Sequence, residues 1–194
     1  PLQTLGLEVD PINTVSLSNH KGYPSFGSMP SLDENSLNSL LEGLKDNKLI
    51  GKYTHLLTGY IGNGALVTAV AKAYRELKIY NPDMQFVCDP VSYKSRDVHR
   101  VYAVTFPKIE GYSFTGTGDV TAAVFLAWLW RMPTDPCSAL EYALSTIQMI
   151  VKATADHGGG ELRLIQCGPQ IAKPRLIVHA SRVAHPRQPL KGVI

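Results

Sequence analysis

The chain has little of what would mark it for a membrane, a disulfide scaffold or a nucleic acid. No apolar run approaches the ~20 residues that a membrane-spanning helix needs. No charged leader followed by an apolar core stands at its start, so no targeting segment is expected. Cysteine is scarce: Cys88, Cys137 and Cys167 are an odd number without metal-like spacing, which fits reduced thiols in a cytosolic protein. The net charge is only +3, so composition does not point to nucleic acid. Small basic groups at Lys94, Arg96 and Arg100, and at Arg182, Arg187 and Lys191, read as solvated faces. Charged residues make up 18% and hydrophobic residues 44% of the 194 residues. That balance excludes a disordered chain and suits one domain with a sizeable core.

What is present is an alternation of strand-like and helix-like segments. Asn13 to Leu17 reads as a buried strand. Ser31 reads as a helix N-cap, with Glu34 completing a capping box and Leu37, Leu40, Leu41 and Leu44 on one face. Thr54 to Thr58 is the next strand, and Gly62 to Ile79 a helix with Leu66, Val70, Ala73 and Leu77 as its apolar stripe. Gln85 to Cys88 is a strand ending at Asp89, and Val98 to Phe106 is β-like. Thr117 to Arg131 and Pro136 to Ala155 are apolar helices, on the first of which Phe125, Trp128 and Trp130 read as core or interface residues. Ile177 to His179 is a short closing strand, and Lys152 to Glu161, with three consecutive glycines, is a flexible loop. Such alternation predicts an α/β fold with a mostly parallel sheet covered by helices, right-handed crossovers, and ligands beyond the carboxyl ends of the strands.

The stretch Phe114-Thr115-Gly116-Thr117-Gly118-Asp119 carries the most chemistry. A small-residue turn runs into an apolar helix, with one carboxylate at the junction. Gly116 and Gly118 let the backbone approach a bulky anion. The first N–H groups of the helix lack intrahelical partners and carry the positive end of its dipole. This suits phosphate, and the added charge of a phosphoryl-transfer transition state. Asp119 is an acid where an anion is wanted, which makes sense if it takes a proton from an attacking hydroxyl. Gly116-Thr117-Gly118-Asp119 alone also fits an ordinary turn with a capping Asp.

Thr115-Gly116-Thr117-Gly118-Asp119 with its small-residue helix resembles the C-terminal signature of the ribokinase superfamily. Three further segments, each after a short apolar strand, are Ser18-Asn19-His20-Lys21-Gly22-Tyr23, Leu57-Thr58-Gly59-Tyr60 and Val87-Cys88-Asp89-Pro90-Val91. In that order they are similar to pyridoxal kinases, more closely than to ribokinase, adenosine kinase or hydroxymethylpyrimidine kinase. The tail from Glu161-Leu162-Arg163-Leu164 to Ile177-Val178 resembles the end of that family. The likeness covers nearly the whole chain. It implies a single ribokinase-like domain over residues 1–194, with a three-layer α/β/α arrangement, incomplete here. The chain starts at what resembles the segment after the family's first strand and Gly-rich loop. Ser92 to Asp97 resembles sequence close before the glycine turn, so a central block is missing between Val91 and Ser92. The residues leave open whether that block is absent from the chemical chain or present and unseen.

The resemblance implies ATP-dependent phosphorylation of the 5′-hydroxymethyl group of pyridoxal, pyridoxine or pyridoxamine, with Mg²⁺ or another divalent cation and a monovalent cation such as K⁺. It also implies a cytoplasmic homodimer with small-molecule substrates, and neither nucleic acid nor membrane as partner. By match to the family motifs, Asp119 would be the base, and Gly116, Thr117 and Gly118 the anion hole. Asp89 would lie near the metal and nucleotide phosphates, and Tyr60 would pack on the pyridine ring. Plain alternatives are a strand-end carboxylate for Asp89 and a core tyrosine for Tyr60. His20 matches the family pattern, equally as a structural histidine or as a ligand contact. Lys21 departs from it, standing where the family usually has a Thr that contacts substrate. The longer, donor-only side chain either holds the pyridine hydroxyl as an anion or obstructs the pocket. Leu17 replaces a common aromatic and trims the pocket wall. A second class of function stands beside the kinase: a catalytically inactive truncated isoform that only binds or dimerises, with exposed sheet edges and no lid.

Overall fold

A computed structural model describes residues 1–19, 23–89 and 101–183. These form two compact units, one of residues 10–19 and 23–89, the other of residues 1–9 and 101–183. The Val91–Ser92 junction and the expected strand start at Val98 lie outside the described residues, as do Lys94, Arg96, Arg100, Arg187 and Lys191.

In the first unit, β1 (Ser16–Leu17) pairs antiparallel with β2 (Ser28–Met29). Helix α1 (Glu34–Asp46) follows, then β3 (His55–Thr58), α2 (Gly64–Tyr80) and β4 (Gln85–Cys88). β3 and β4 pair in parallel, so β3–α2–β4 is a β-α-β unit. α1 and α2 pack through Leu37 and Leu41 against Leu66, Ala69 and Ala73, where the two alanines leave room for the leucines. Leu40 is 48% exposed and does not share that face. Ser31 is not the cap of α1. The Asp33 side chain accepts from the Ser36 amide at 2.8 Å, because its carboxylate stands directly ahead of the first turn. Asn63 caps α2 in the same way, through the Leu66 amide at 2.8 Å. A second small core of Ile50, Leu77 and Met84 closes the unit, and Asn81 ties the end of α2 to the Tyr53 carbonyl at 2.8 Å.

In the second unit, β5 (Val101–Val104) pairs antiparallel with β8 (Ala180–Val183), and β6 (Phe114–Thr115) pairs in parallel with β7 (Gly160–Glu161). Between β6 and β7 run α3 (Thr117–Arg131) and α4 (Pro136–Ala155), followed after β7 by the short α5 (Gly168–Ala172). The core is α3 on α4: Val120, Val124 and Ala127 pack with Ala143, Ile147 and Ile150. Trp128 stacks on Tyr142 with ring centroids 4.2 Å apart, while Trp130 on the same helix is 52% exposed and outside the core. The first residues of the chain belong here too. Leu5 is buried in this core, and Arg131 donates to its carbonyl at 2.7 Å.

The fold is α/β, with α2, α3 and α4 where the periodicity predicts them. Among the described residues the strands form four two-stranded sheets, two parallel and two antiparallel, rather than one continuous sheet. The closing strand is at Ala180–Val183, not at Ile177 to His179, because the Ile177 and Val178 amides are held by the buried Ser145 hydroxyl, at 3.0 and 3.4 Å. The stretch Lys152 to Glu161 is not a flexible loop: its start completes α4 and its end is β7. No helix among the described residues is long and apolar enough to cross a membrane.

Two measurements check these anchors. Asn63→Ala removes a helix cap and is expected to cost about 1 kcal/mol in urea unfolding, whereas Ser31→Ala changes stability by less than about 0.5 kcal/mol. Burial, and then a 2.7 Å hydrogen bond to the Asp10 carboxylate, push the Tyr53 phenol from 10.0 up to about 12. The folded state thus holds this proton more tightly than the unfolded chain. Its contribution is present below pH 10 and lost as pH rises through about 12. Tyr53→Phe is expected to flatten that alkaline loss in unfolding curves taken across the window.

Candidate functional site

The site residues of the second unit sit where β6 turns into α3. Thr115 is the last residue of the strand and pairs with Glu161. Gly116 then takes φ 83° and ψ 10°, a left-handed conformation, and Thr117 starts the helix. An added Cβ at Gly116 would meet nothing within 4 Å, so the backbone alone demands glycine, and the space beside it is open. The Gly116 carbonyl accepts the first helical hydrogen bond, from Val120 at 3.1 Å. No side chain caps this start. By contrast, α1, α2 and α4 are each capped by an Asp or Asn side chain. The first-turn N–H groups of α3 therefore have no side-chain acceptor at the N-cap, which leaves an anion of another molecule as a natural partner. Asp119, the third residue of the helix, is exposed.

The support behind this turn was not legible as function in the sequence. Gly160 donates to the Ser113 carbonyl at 3.2 Å, and Gly159 to the Thr154 carbonyl at 2.9 Å. The Tyr112 ring lies so close to Gly159 that a Cβ there would come within 2.5 Å of it, and φ at Gly159 is +77°. A glycine run that reads as a loop is thus a fixed turn that pairs β7 onto β6 and holds the entry to Gly116.

In the first unit the parallel pair β3/β4 ends at Thr58 and Cys88, so Tyr60 and Asp89 leave at the same edge. The Asp89 amide donates to the Thr58 carbonyl at 2.9 Å, extending the ladder by one bond. Asp89 is half-buried, and Tyr60 is 47% exposed. The Thr58 hydroxyl, beside them, is buried with no hydrogen-bond partner among the described residues. The Tyr60 carbonyl accepts from the Thr14 hydroxyl at 2.7 Å. Leu17 is half-buried on β1, facing Ser28. The loop beyond it is closed by Ser18, which exchanges hydrogen bonds with Gly27, and by Asn19, whose amide donates to the Ser25 carbonyl at 3.0 Å. His20 and Lys21 lie outside the described residues. Among the described residues no group of three or more His, Cys, Asp or Glu side chains could hold a metal ion. All three cysteines are free, and burial pushes the Cys137 and Cys167 thiols up.

No protein-family model matches the chain. Among curated proteins it is similar to a pyridoxal kinase of Arabidopsis thaliana, 28% identical over an alignment of 273 positions that takes in 94% of this chain and 87% of the relative. This chain has 194 residues, so at least 79 of those positions have no residue here. Shorter matches at higher identity are with the pyridoxal kinases of Dictyostelium discoideum, 49% identical over 90 residues, and Homo sapiens, 44% identical over 92 residues. These take in 46% and 47% of this chain but only 30% and 28% of those relatives. Among solved structures, pyridoxal kinase from Trypanosoma brucei superposes with a TM-score of 0.79 at 23% identity, covering 93% of this chain and 90% of that one. Pyridoxal kinase from Leishmania donovani, in complex with ADP and pyridoxine, gives 0.81 at 23% identity, covering 94% and 91%. These structures share the fold.

Gly116→Ala is expected to cost about 1–2 kcal/mol, all of it from the left-handed backbone because no atom obstructs the methyl group. Gly116→Asn should cost less. An equal, small loss for both in urea unfolding would contradict the turn geometry.

Proposed function

We propose that this chain, a homologue of the pyridoxal kinases with a ribokinase-like α/β fold, transfers the γ-phosphoryl group of ATP to the 5′-hydroxymethyl group of pyridoxal, pyridoxine or pyridoxamine. The observation that carries the reading is the start of α3: a left-handed glycine, no side-chain cap, and a carboxylate on the third residue. The amides of Thr117 and Gly118 and the open backbone at Gly116 are assigned to the charge on the transferred phosphoryl group. Asp119 takes the proton of the attacking hydroxyl, so that the oxygen bonds to phosphorus as an alkoxide and ADP leaves.

Tyr60 is assigned to the face of the pyridine ring, where offset packing adds about 0.5–1.5 kcal/mol beyond burial. Leu17, His20 and Lys21 are assigned to the same pocket on the motif match. Asp89 is a half-buried carboxylate that belongs to no group of three or more metal-ligating side chains among the described residues, and that fits a Mg²⁺ that keeps waters and arrives with nucleotide phosphates rather than one held in a protein cage. Mg²⁺ supplies neutralisation of phosphate charge when bound, and Asp89 would hold it. A monovalent cation such as K⁺, a homodimer and a cytoplasmic setting belong to the same reading, on the family resemblance. Both units are assigned to one domain, with the additional positions of the relatives placed between Val91 and Ser92.

The shortfall of at least 79 aligned positions favours one second reading, a chain that binds these ligands without turning them over. The two readings part on Asp119. With Mg·ATP and pyridoxal, Asp119→Ala should lower kcat by ~10²–10⁴-fold while pyridoxal binding persists. A near-normal rate in the variant removes the base assignment, and a folded wild-type chain that binds both ligands without product supports the second reading.

A further inference from the structure

The connection from β3 to α2 is five residues long, 59–63, and Tyr60 stands within it. Its ends are fixed by the β3 ladder at Thr58 and by the Asn63 cap. Its middle is fixed by the segment before β1. The Thr14 hydroxyl donates to the Tyr60 carbonyl at 2.7 Å, a full-strength O–H···O bond. The next residue, Val15, presses a methyl group so near Gly62 that an added Cβ would lie 3.1 Å from it, and Gly62 has φ +88°. Thr14 is itself anchored, since its carbonyl accepts from the Leu32 amide at 3.0 Å. A carbonyl held in this way favours one orientation of its peptide plane, and that plane bears on where the Tyr60 Cβ points.

We propose that Thr14 is a positioning residue of the aromatic pocket wall: by holding the Tyr60 carbonyl, it sets the angle at which the Tyr60 ring meets a flat heteroaromatic substrate. This rests on the reading of Tyr60 as a ring-packing residue. Thr14 acts through Tyr60 alone, so its loss should weaken the vitamer and spare the nucleotide. A merely structural Thr14 would lower stability and weaken both ligands together.

The test is calorimetric binding of pyridoxal, and separately of Mg·ADP, to the whole chain as wild type, Thr14→Val, Thr14→Ser and Tyr60→Ala, with thermal unfolding of each. Thr14→Val keeps the shape and deletes the donor. It is expected to weaken pyridoxal roughly 3- to 10-fold, the size of one neutral hydrogen bond, and to change Mg·ADP by less than about twofold. Thr14→Ser restores the donor and should bind pyridoxal within about twofold of wild type. Thr14→Val binding pyridoxal like wild type, or losing both ligands equally, overturns the proposal. If Tyr60→Ala loses pyridoxal while Thr14→Val does not, the Thr14 proposal falls and the reading of Tyr60 stands. If the wild type shows no pyridoxal binding, or Tyr60→Ala shows no loss, both fall.

Discussion

The packing of α3 on α4 is the constraint on which the turn at Gly116 to Asp119, assigned above to phosphate, depends. A helix start without a side-chain cap is weak by itself, since its amides have neither a cap nor a buried partner. Here the cost is borne by the body of the helix. Val120, one residue beyond Asp119, is already buried, and Val124 and Ala127 continue the stripe against Ala143, Ile147 and Ile150. The small side chains at Ala127 and Ala143 let the helices approach closely, and the Trp128–Tyr142 stack adds an aromatic contact between them. The turn is therefore held from below by the core and from behind by β6 on β7. A helix start backed in this way is the kind of preorganised donor set that the proposed stabilisation of a transferred group requires.

The first unit solves a related problem with different means. Its Tyr60 and Asp89 stand just beyond a two-stranded parallel pair, which offers little rigidity of its own. Rigidity comes from the connections. The Asp89 amide continues the ladder past β4, Asn63 closes the start of α2, and Thr14 and Val15 pin the loop that carries Tyr60. Each unit thus positions its chemistry-bearing residues by hydrogen bonds at strand ends, over a core made by helices.

Much of this was legible in the sequence because its signals are local. The stripes of α2, α3 and α4 and the strand Gln85–Cys88 follow from periodicity, and the Gly-Thr-Gly-Asp turn from the meaning of glycine before a helix. The misreadings have physical causes. Ser31 with Glu34 has the spacing of a capping box, but Asp33 stands nearer the first turn with a stronger acceptor. Leu40 repeats at helical spacing yet is exposed, since Leu37 and Leu41 are the leucines of α1 buried with Ala69 and Ala73. Gly158 to Gly160 read as a loop because the ring that packs on Gly159, Tyr112, is distant along the chain. Thr14 carried no signal, because its partner is a main-chain carbonyl, invisible to any side-chain pattern. The continuous sheet implied by strand–helix alternation needs neighbours for each strand, and the alignment shows at least 79 positions of a relative without counterpart here.

The central claim is that the turn at Gly116 to Asp119 directs a phosphoryl group to a vitamer hydroxyl. Phosphorus NMR of the purified chain, its intact mass first matched to 194 residues, follows the γ-phosphate of Mg·ATP with and without pyridoxal. The account predicts a phosphomonoester signal growing with ADP only when pyridoxal is present. ATP that stays intact, or that yields inorganic phosphate regardless of pyridoxal, would contradict it.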